Sequence, residues 1–156
     1  MDPGWASFGL AKVNEEGTLI SAEGFVPRDF GLTKFVNDKF SGITNIETVV
    51  LERFVAYEGV HSNVNEPLLM LIGALQYRFE NEGVKVGLVR AIDWKPRLCK
   101  WLVRNKGFSN PAPSFDKKFS LAAAEALSGV KFKTDHEADA VCLAYLGWIT
   151  TQPSTM

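Results

Sequence analysis

A short run from Thr134 to Tyr145, with the sequence TDHEADAVCLAY, joins several ionisable side chains to the start of an apolar helix. Thr134 is a suitable N-cap for that helix. Residues three or four apart share one face of a helix, so His136 and Asp139 point the same way, and Asp135 lies one step from them. This face could hold a divalent cation.

An ordinary explanation of acids in a first helical turn is that they stabilise the positive end of the helix dipole. That explanation suits Asp135 and Glu137. It suits Asp139 poorly, because alanines flank this residue where the helix becomes apolar. We therefore favour a metal site on this face.

A second carboxylate, Glu52, lies inside an apolar run. Residues Thr48 to Tyr57 read TVVLERFVAY, which predicts a buried central strand. An unpaired carboxylate is costly to bury. Glu52 could pair with Arg53 or across the strands, or lie near an exposed strand end. We favour a metal as its partner, because the acidic helix offers further ligands.

Length and composition indicate one ordinary globular domain. The chain has 156 residues, of which 46% are hydrophobic and 22% are charged. We expect a single domain at 1–150 and a frayed tail at 151–156. No apolar run has the roughly 20 residues of a membrane span, and the start has no signal-peptide character, so a cytoplasmic protein is expected. Cys99 and Cys142 are expected to be reduced core thiols rather than a disulfide or a metal pair.

Charge is distributed unevenly along the chain. Residues 95–133 hold nine Lys and Arg against two Asp and Glu, whereas the flanking parts are acidic. A solvated helix face is the common explanation of such a block. The block also contains or adjoins five aromatic residues, namely Trp94, Trp101, Phe108, Phe115 and Phe119. Stacking and phosphate contacts to nucleic acid need this mixture, so we predict a polyanion-binding surface.

Hydrophobic periodicity and turn residues predict alternating strands and helices. The predicted strands are Ser7–Val13, Thr18–Val26, Thr48–Tyr57 and Val84–Ile92, and the predicted helices are Leu32–Phe40, Asn65–Glu82, Trp94–Lys106, Ser120–Leu127 and the one that follows Thr134. This order predicts a mixed α/β sheet with helices on both faces. Acids at the ends of adjacent strands and on the late helix would then converge.

Three segments in this order resemble the RuvC-type Holliday junction resolvases, which have the ribonuclease H-like fold. They are Asp2-Pro3-Gly4, the VVLERF segment around Glu52, and HEADA from His136 to Ala140. The resemblance covers nearly the whole chain, and phage-encoded members look most similar, with Trp94-Lys95 and Lys117-Lys118 as further similarities. It implies a five-stranded mixed sheet flanked by helices on both faces.

The resemblance also implies an active site. Asp2 would lie at the end of the first strand, Glu52 at the end of the fourth, and His136 and Asp139 on the last helix, all four as catalytic residues and metal ligands. Many family members have an Asp where His136 stands, and Asp135 is an alternate ligand. The catalytic lysines of the family would correspond to Lys95 and to Lys117 or Lys118. Candidate DNA contacts are Lys95, Arg97, Lys117 and Lys118.

By this resemblance the protein is a crossover junction endodeoxyribonuclease of DNA recombination and repair, in a bacterial cell or a phage-infected host. It would use two Mg²⁺ ions per active site, with Mn²⁺ as a substitute, and act on four-way DNA as a homodimer. The wide apolar stripe of the helix predicted at Asn65–Glu82 suits a twofold interface.

Three other functions remain open. A non-catalytic relative could bind branched DNA or RNA, and a ribonuclease could use the same acids on RNA or a hybrid. A sugar-kinase or actin-like ATPase also begins with Asp-x-Gly and a hairpin, but it needs two domains.

The position of Asp2 leads to one further expectation. A central strand normally has about 5–6 residues, whereas only Met1 precedes Asp2. We expect the natural product to start upstream, the central strand to be nearly absent from this chain, and an added apolar strand to raise stability and activity.

Overall fold

A computed structural model describes residues 1–53 and 62–152, except for the side chains of residues 62–65. The strands are β1 (Phe8–Val13), β2 (Leu19–Phe25), β3 (Thr48–Glu52) and β4 (Lys85–Val89). The helices are α1 (Leu32–Phe40), α2 (Ser62–Asn81), α3 (Ala91–Lys106), α4 (Lys117–Ser128) and α5 (Asp135–Thr151). The mixed α/β class is confirmed.

The strands form two small sheets. β1 and β2 are an antiparallel hairpin whose turn contains Gly17 at a positive φ of 78°, a conformation that glycine adopts without strain. β3 and β4 are parallel, with Leu51 beside Leu88. Their connection includes α2, as parallel neighbours require a crossover.

Met1 and Asp2 join the two sheets. Asp2 exchanges two backbone hydrogen bonds with Gly9 of β1, each 2.9 Å long. Met1 donates its amino group to Val50 O at 2.7 Å and accepts from Glu52 N at 3.1 Å. The predicted five-stranded sheet is not seen in the described residues. At the place of the central strand, which was expected to be nearly absent, only Met1 and Asp2 bridge β1 and β3.

Helices cover both faces of this arrangement, as predicted. Phe8 and Leu10 of β1 and Val49 and Leu51 of β3 are buried in one cluster with residues of α1 and α2. The alternate side chains, such as Ala11 and Val50, pack in a second cluster with α3, α4 and α5. This division follows from the period of two in a strand.

Gly9 lets α5 lie close to β1. A Cβ atom at this position would lie 2.0 Å from the backbone oxygen of His136 and 3.0 Å from the Cβ of Ala140. Only a residue without a side chain fits there. This close approach brings the first turns of α5 next to Asp2, the strand-pairing partner of Gly9.

Some predicted boundaries differ from the structure. β3 ends at Glu52, and positions 54–57 of the predicted strand lie outside the described residues. β4 ends at Val89, so the prediction that Ile92 belongs to the strand is wrong. The reason is local: extended Arg90 caps α3, and its side chain pairs with Asp93 in the first turn at 2.6 Å.

Three helices also begin earlier than predicted. α2 starts at Ser62, so Asn65 is not its cap. α3 starts three residues before Trp94, and α4 starts at Lys117 because the Asp116 carboxylate accepts from the Lys118 backbone N–H. α5 continues to Thr151, while 153–156 of the predicted tail lie outside the described residues.

A cleft of about 500 Å³ lies next to Met1. Residues 10–13 of β1 and 48–50 of β3 line it, together with Phe79, Ala144 and Trp148. No helix within the described ranges is both long and apolar enough to cross a membrane.

Candidate active site

The first turn of α5 presents two of the predicted site residues. Thr134 caps the helix, as predicted: its hydroxyl accepts from Glu137 N and donates to the Glu137 carboxylate at 3.0 Å. This reciprocal arrangement fixes where the helix starts. His136 and Asp139 then lie on the side of α5 that approaches β1 and β3.

His136 connects Asp2 to Ser7. Its Nδ1 lies 2.8 Å from Asp2 Oδ2, and its Nε2 lies 2.7 Å from Ser7 Oγ. Because an ionised carboxylate only accepts, Nδ1 carries a proton and donates to Asp2. The hydrogen bond to Asp2 is the main reason why the pKa of His136 is raised. Both ring nitrogens are thus engaged by protein groups.

Glu52 is the last residue of β3, where its side chain meets α3. The indole N–H of Trp94 donates to Glu52 Oε2 at 2.6 Å. Burial raises the pKa of Glu52 to about 7, against the lowering effect of the Trp94 hydrogen bond, and the charges of Asp2 and Asp139 raise it further. The two alternatives to a metal partner, an ion pair of Glu52 with Arg53 and one across the strands, are not present among the described residues.

Asp139 forms a largely buried ion pair with Lys95. The Lys95 ammonium lies 3.3 Å from each carboxylate oxygen and donates to Oδ2 and to Ser120 Oγ, the latter at 3.1 Å. Oδ1 is buried and makes no hydrogen bond among the described residues, although the Lys95 ammonium pairs with it electrostatically. Burial raises the pKa of Asp139, and Lys95 opposes that effect.

The charges of Asp2 and Asp139 raise the pKa of Glu52, and the charge of Asp2 raises the pKa of Asp139. Each of the three carboxylates nevertheless has a protein group as its partner. Asp2 is held by His136, Glu52 by Trp94 and Asp139 by Lys95. In the described part of the chain, no three His, Cys, Asp or Glu side chains form a ready metal-binding group. The donor chemistry nevertheless fits a hard cation, because carboxylate oxygens dominate and Asp139 Oδ1 has no hydrogen-bond donor.

The N-terminal amino group is also part of this region. It is buried and donates to Val50 O, and burial lowers its pKa to about 5. The carboxylates of Asp2 and Glu52 act in the opposite direction but do not offset that burial. At neutral pH the amine is therefore uncharged beside the acids.

The basic block divides into one buried residue and an exposed surface. Lys95 points to Asp139, whereas the exposed basic residues, here called the basic surface, are Arg97, Lys100, Arg104, Lys106, Lys117, Lys118, Lys131 and Lys133. The predicted stacking role of the interleaved aromatics is not supported. Trp94 and Phe119 are buried, and Trp101, Phe108 and Phe115 pack against the same core.

Sequence reasoning missed three partners of the acids: Ser7, Trp94 as a hydrogen-bond donor, and Ser120. A buried polar residue within an apolar helix, as Ser120 is on α4, was an available signal. No such signal marks Ser7, which lies in a loop. Asp135 begins α5, where its charge contributes to raising the pKa of His136.

The geometry resembles that of two solved structures from Thermus thermophilus. One is RuvC in complex with a Holliday junction substrate: 18% identity, TM-score 0.63, with 92% of this chain and 87% of that chain covered. The other is a RuvC structure at 17% identity and a TM-score of 0.52, with 92% and 88% covered. No family model and no curated protein matches the chain. The chain thus has a RuvC-like fold.

Proposed function

We propose that this protein is a metal-dependent endonuclease that nicks branched DNA and resolves four-way junctions. The observation that carries the proposal is the meeting of Asp2, Glu52 and Asp139 from three separate parts of a RuvC-like fold. Three mutually unfavourable carboxylates are expensive to assemble for stability alone. A phosphodiester-cleaving site would explain why all three carboxylates are present together.

In the proposed site, Asp2, Glu52 and Asp139 hold divalent cations, two Mg²⁺ or Mn²⁺ per site, with His136 and Asp135 as further candidate ligands. Such ions lower the pKa of a bound water and stabilise a leaving oxygen. The buried oxygen of Asp139 that lacks a hydrogen bond supports this assignment. Lys95, once released from Asp139, offsets negative charge on the phosphate.

His136 has a second proposed role in proton transfer. It is partly exposed and connects Asp2 with Ser7 through both ring nitrogens. In this arrangement it orients the Asp2 carboxylate and holds a proton at Nδ1. A ligand role for His136 would require it to give up one of these two contacts.

The proposed substrate follows from the basic surface and the resemblance together. Eight exposed Lys and Arg residues lie on or next to α3, α4 and the loop before α5, and such clusters bind phosphates by counterion release. One structural neighbour is RuvC with a Holliday junction. We assign DNA contacts to Arg97, Lys117 and Lys118, with Lys95 deeper at the reacting phosphate, and extend the likeness to the phage-type members.

The test is cleavage of labelled four-way, three-way, duplex and RNA–DNA hybrid substrates in Mg²⁺, in Mn²⁺ and with a chelator. We expect nicking of the four-way junction at symmetric positions, dependent on the metal. Glu52→Gln is the matched control, because it keeps the side-chain volume and removes the charge. Cleavage that persists in the chelator or in this variant contradicts the proposal, and preferred cleavage of the hybrid would assign ribonuclease activity instead.

A non-catalytic branched-DNA-binding protein is the second candidate. It is favoured by the partners of the acids: His136 and Lys95 already occupy Asp2 and Asp139. Such a protein would bind the junction without cleaving it in any metal. The same substrate series therefore separates the two functions.

We also propose a homodimer, formed through α2. The exposed side of this helix carries Leu69, Met70 and Tyr77, which are 53%, 54% and 73% exposed. A contiguous apolar face of this kind marks an interaction site. Light scattering should show a dimer at micromolar concentration and a monomer for Leu69→Glu combined with Met70→Glu. Ile20→Glu, an exposed apolar position on β2, should remain dimeric, and a monomeric wild type would exclude symmetric cleavage.

From the proposed substrate, we also propose that the protein acts in the cytoplasm of a bacterium or a phage-infected host.

A further inference from the structure

We infer that Trp94 is a positioning residue, which uses its indole N–H to fix the Glu52 carboxylate in a metal-binding orientation. This inference rests on the proposed metal site. Trp94 lies in the first turn of α3 and is 1% exposed. Its N–H is 2.6 Å from Glu52 Oε2, which leaves Oε1 free of this bond.

Two other tryptophans show that an indole N–H in this fold does not require a carboxylate as its acceptor. The N–H of Trp148 donates to the backbone oxygen of Glu15 at 2.9 Å. The N–H of Trp101, two turns further along α3, is buried without a hydrogen bond in the described part of the protein. A neutral carbonyl or no partner at all is thus tolerated elsewhere.

Trp94 also belongs to a larger arrangement at the start of α3. Its neighbour Lys95 reaches Asp139 on α5 and Ser120 on α4, and the Lys95 ammonium lies 5.2 Å from the Trp94 ring centroid. One helical turn therefore contacts two of the three acids, each through a different donor. A shift of α3 would move both carboxylates together.

A neutral donor suits Glu52 for a physical reason. A cation there would compete with an incoming metal for the same oxygen, whereas an indole N–H fixes one oxygen and adds no charge. The aromatic body of Trp94 is itself anchored in the core, in the same buried cluster as Leu98 and Leu102.

The test measures Mg²⁺ and Mn²⁺ binding by calorimetry without DNA. Trp94→Phe, which removes the N–H and keeps an aromatic ring, should weaken metal binding by roughly 10-fold, as loss of a ligand's supporting hydrogen bond typically does. Trp101→Phe is the matched control on the same helix and should change affinity less than twofold. Combined with Glu52→Gln, the Trp94→Phe change should have no further effect on affinity, because Trp94 acts through Glu52.

A second measurement uses the wild-type protein and does not depend on the folding of a variant. The indole N–H resonance of Trp94 should shift when Mg²⁺ is added, while those of Trp101 and Trp148 stay unchanged. The shift should vanish in Glu52→Gln.

The outcomes separate this inference from the proposed function. Equal metal affinity in Trp94→Phe and Trp101→Phe, or an unmoved Trp94 resonance, overturns the positioning role even if the wild type cleaves junctions. A protein that binds metal through Trp94 and Glu52 but cleaves no branched DNA retains the inference and loses the nuclease proposal.

Discussion

The three carboxylates, here called the acid site, and the basic surface differ in how far their charges are exposed to water. Asp2, Glu52 and Asp139 are largely withdrawn from water, and each is held by one identified side chain. The residues of the basic surface are exposed, and the ion pair observed among them, Lys131 with Glu125, is long at 3.9 Å. Buried charges interact strongly and tolerate little change, whereas exposed charges are screened.

Lys95 is the exception that connects the two regions. It belongs to the basic block by sequence, yet its side chain is only 12% exposed and is paired with Asp139. Substitutions in the acid site should therefore change the cleavage rate, whereas substitutions on the basic surface should change DNA affinity. This difference can be tested by changing one region at a time.

The largest effect is expected for Asp139→Asn. Loss of this carboxylate should lower cleavage of a four-way junction by about 1,000-fold or more, because metal stabilisation of the transition state is worth several kcal/mol. Junction affinity should be unchanged, since the basic surface is intact. Single-turnover cleavage and gel-shift assays measure the two quantities. If Asp135→Asn shows the loss and Asp139→Asn does not, the assignment of the ligand on α5 is wrong.

The next effect concerns His136. His136→Ala should reduce cleavage by roughly 100-fold, the lower range for a proton-transfer group, while leaving DNA affinity unchanged. His136→Asp should retain activity if the residue is a metal ligand, because a carboxylate can replace an imidazole there. His136→Asn can still donate a hydrogen bond to Asp2. If the main role of His136 is to orient Asp2, His136→Asn should therefore be more active than His136→Asp. Equal rates for His136→Ala and the wild type would leave His136 with a packing role only.

A smaller, purely electrostatic effect is expected on the basic surface. Replacing Lys117 and Lys118 with Ala should weaken junction binding and lower the slope of log affinity against log salt by about 2, since each lost phosphate contact contributes about 0.9. The cleavage rate at saturating protein should not change. Lys34→Ala with Lys85→Ala, two exposed lysines on α1 and β4, is the control. An unchanged slope for Lys117 and Lys118 would place the DNA on another face.

The class of fold could be predicted from the sequence because its signals are local. α1 has the bounds that its periodicity predicts, and Thr134 caps α5 as expected. The joining of the two sheets could not be predicted, because it depends on hydrogen bonds between Met1 and β3, which is distant in sequence.

The acids of the candidate site could be predicted from the sequence, but the side chains that pair with them could not. Charged residues in apolar contexts identified Glu52 and Asp139, since such positions are costly. The donors that meet them come from other elements, and Trp94 and Lys95 resembled nucleic-acid contacts until their burial was known. Aromatic residues between positive charges are equally compatible with a core and with a binding surface.

The smallest expected effect is the pH dependence of stabilisation by metal. The pKa of Glu52 is about 7 in the folded chain, above its ordinary value of 4.5, so its contribution to stability is complete below 4.5 and is lost as pH rises through 7. The Met1 amino group, with a pKa of about 5 instead of 8.0, acts in the opposite sense: its contribution is present above 8.0 and is lost as pH falls through 5. These two contributions offset each other between about 5 and 7, while the raised pKa values of His136 and Asp139 add stability that is lost as pH rises.

Metal binding breaks this balance, because a ligand carboxylate must lose its proton. Apparent Mg²⁺ affinity should be about 10-fold higher at pH 8 than at pH 6, which corresponds to about 1.4 kcal/mol. At a fixed, near-saturating Mg²⁺ concentration, the rise in Tm should then be about 3 °C larger at pH 8, given a few degrees per kcal/mol for a chain of this size. Thermal unfolding at the two pH values measures the difference, and Glu52→Gln should lose most of it. A rise in Tm that is equal at both pH values in the wild type would mean that Glu52 is not a ligand, because the residue whose proton most strongly opposes the metal would then have no influence on it.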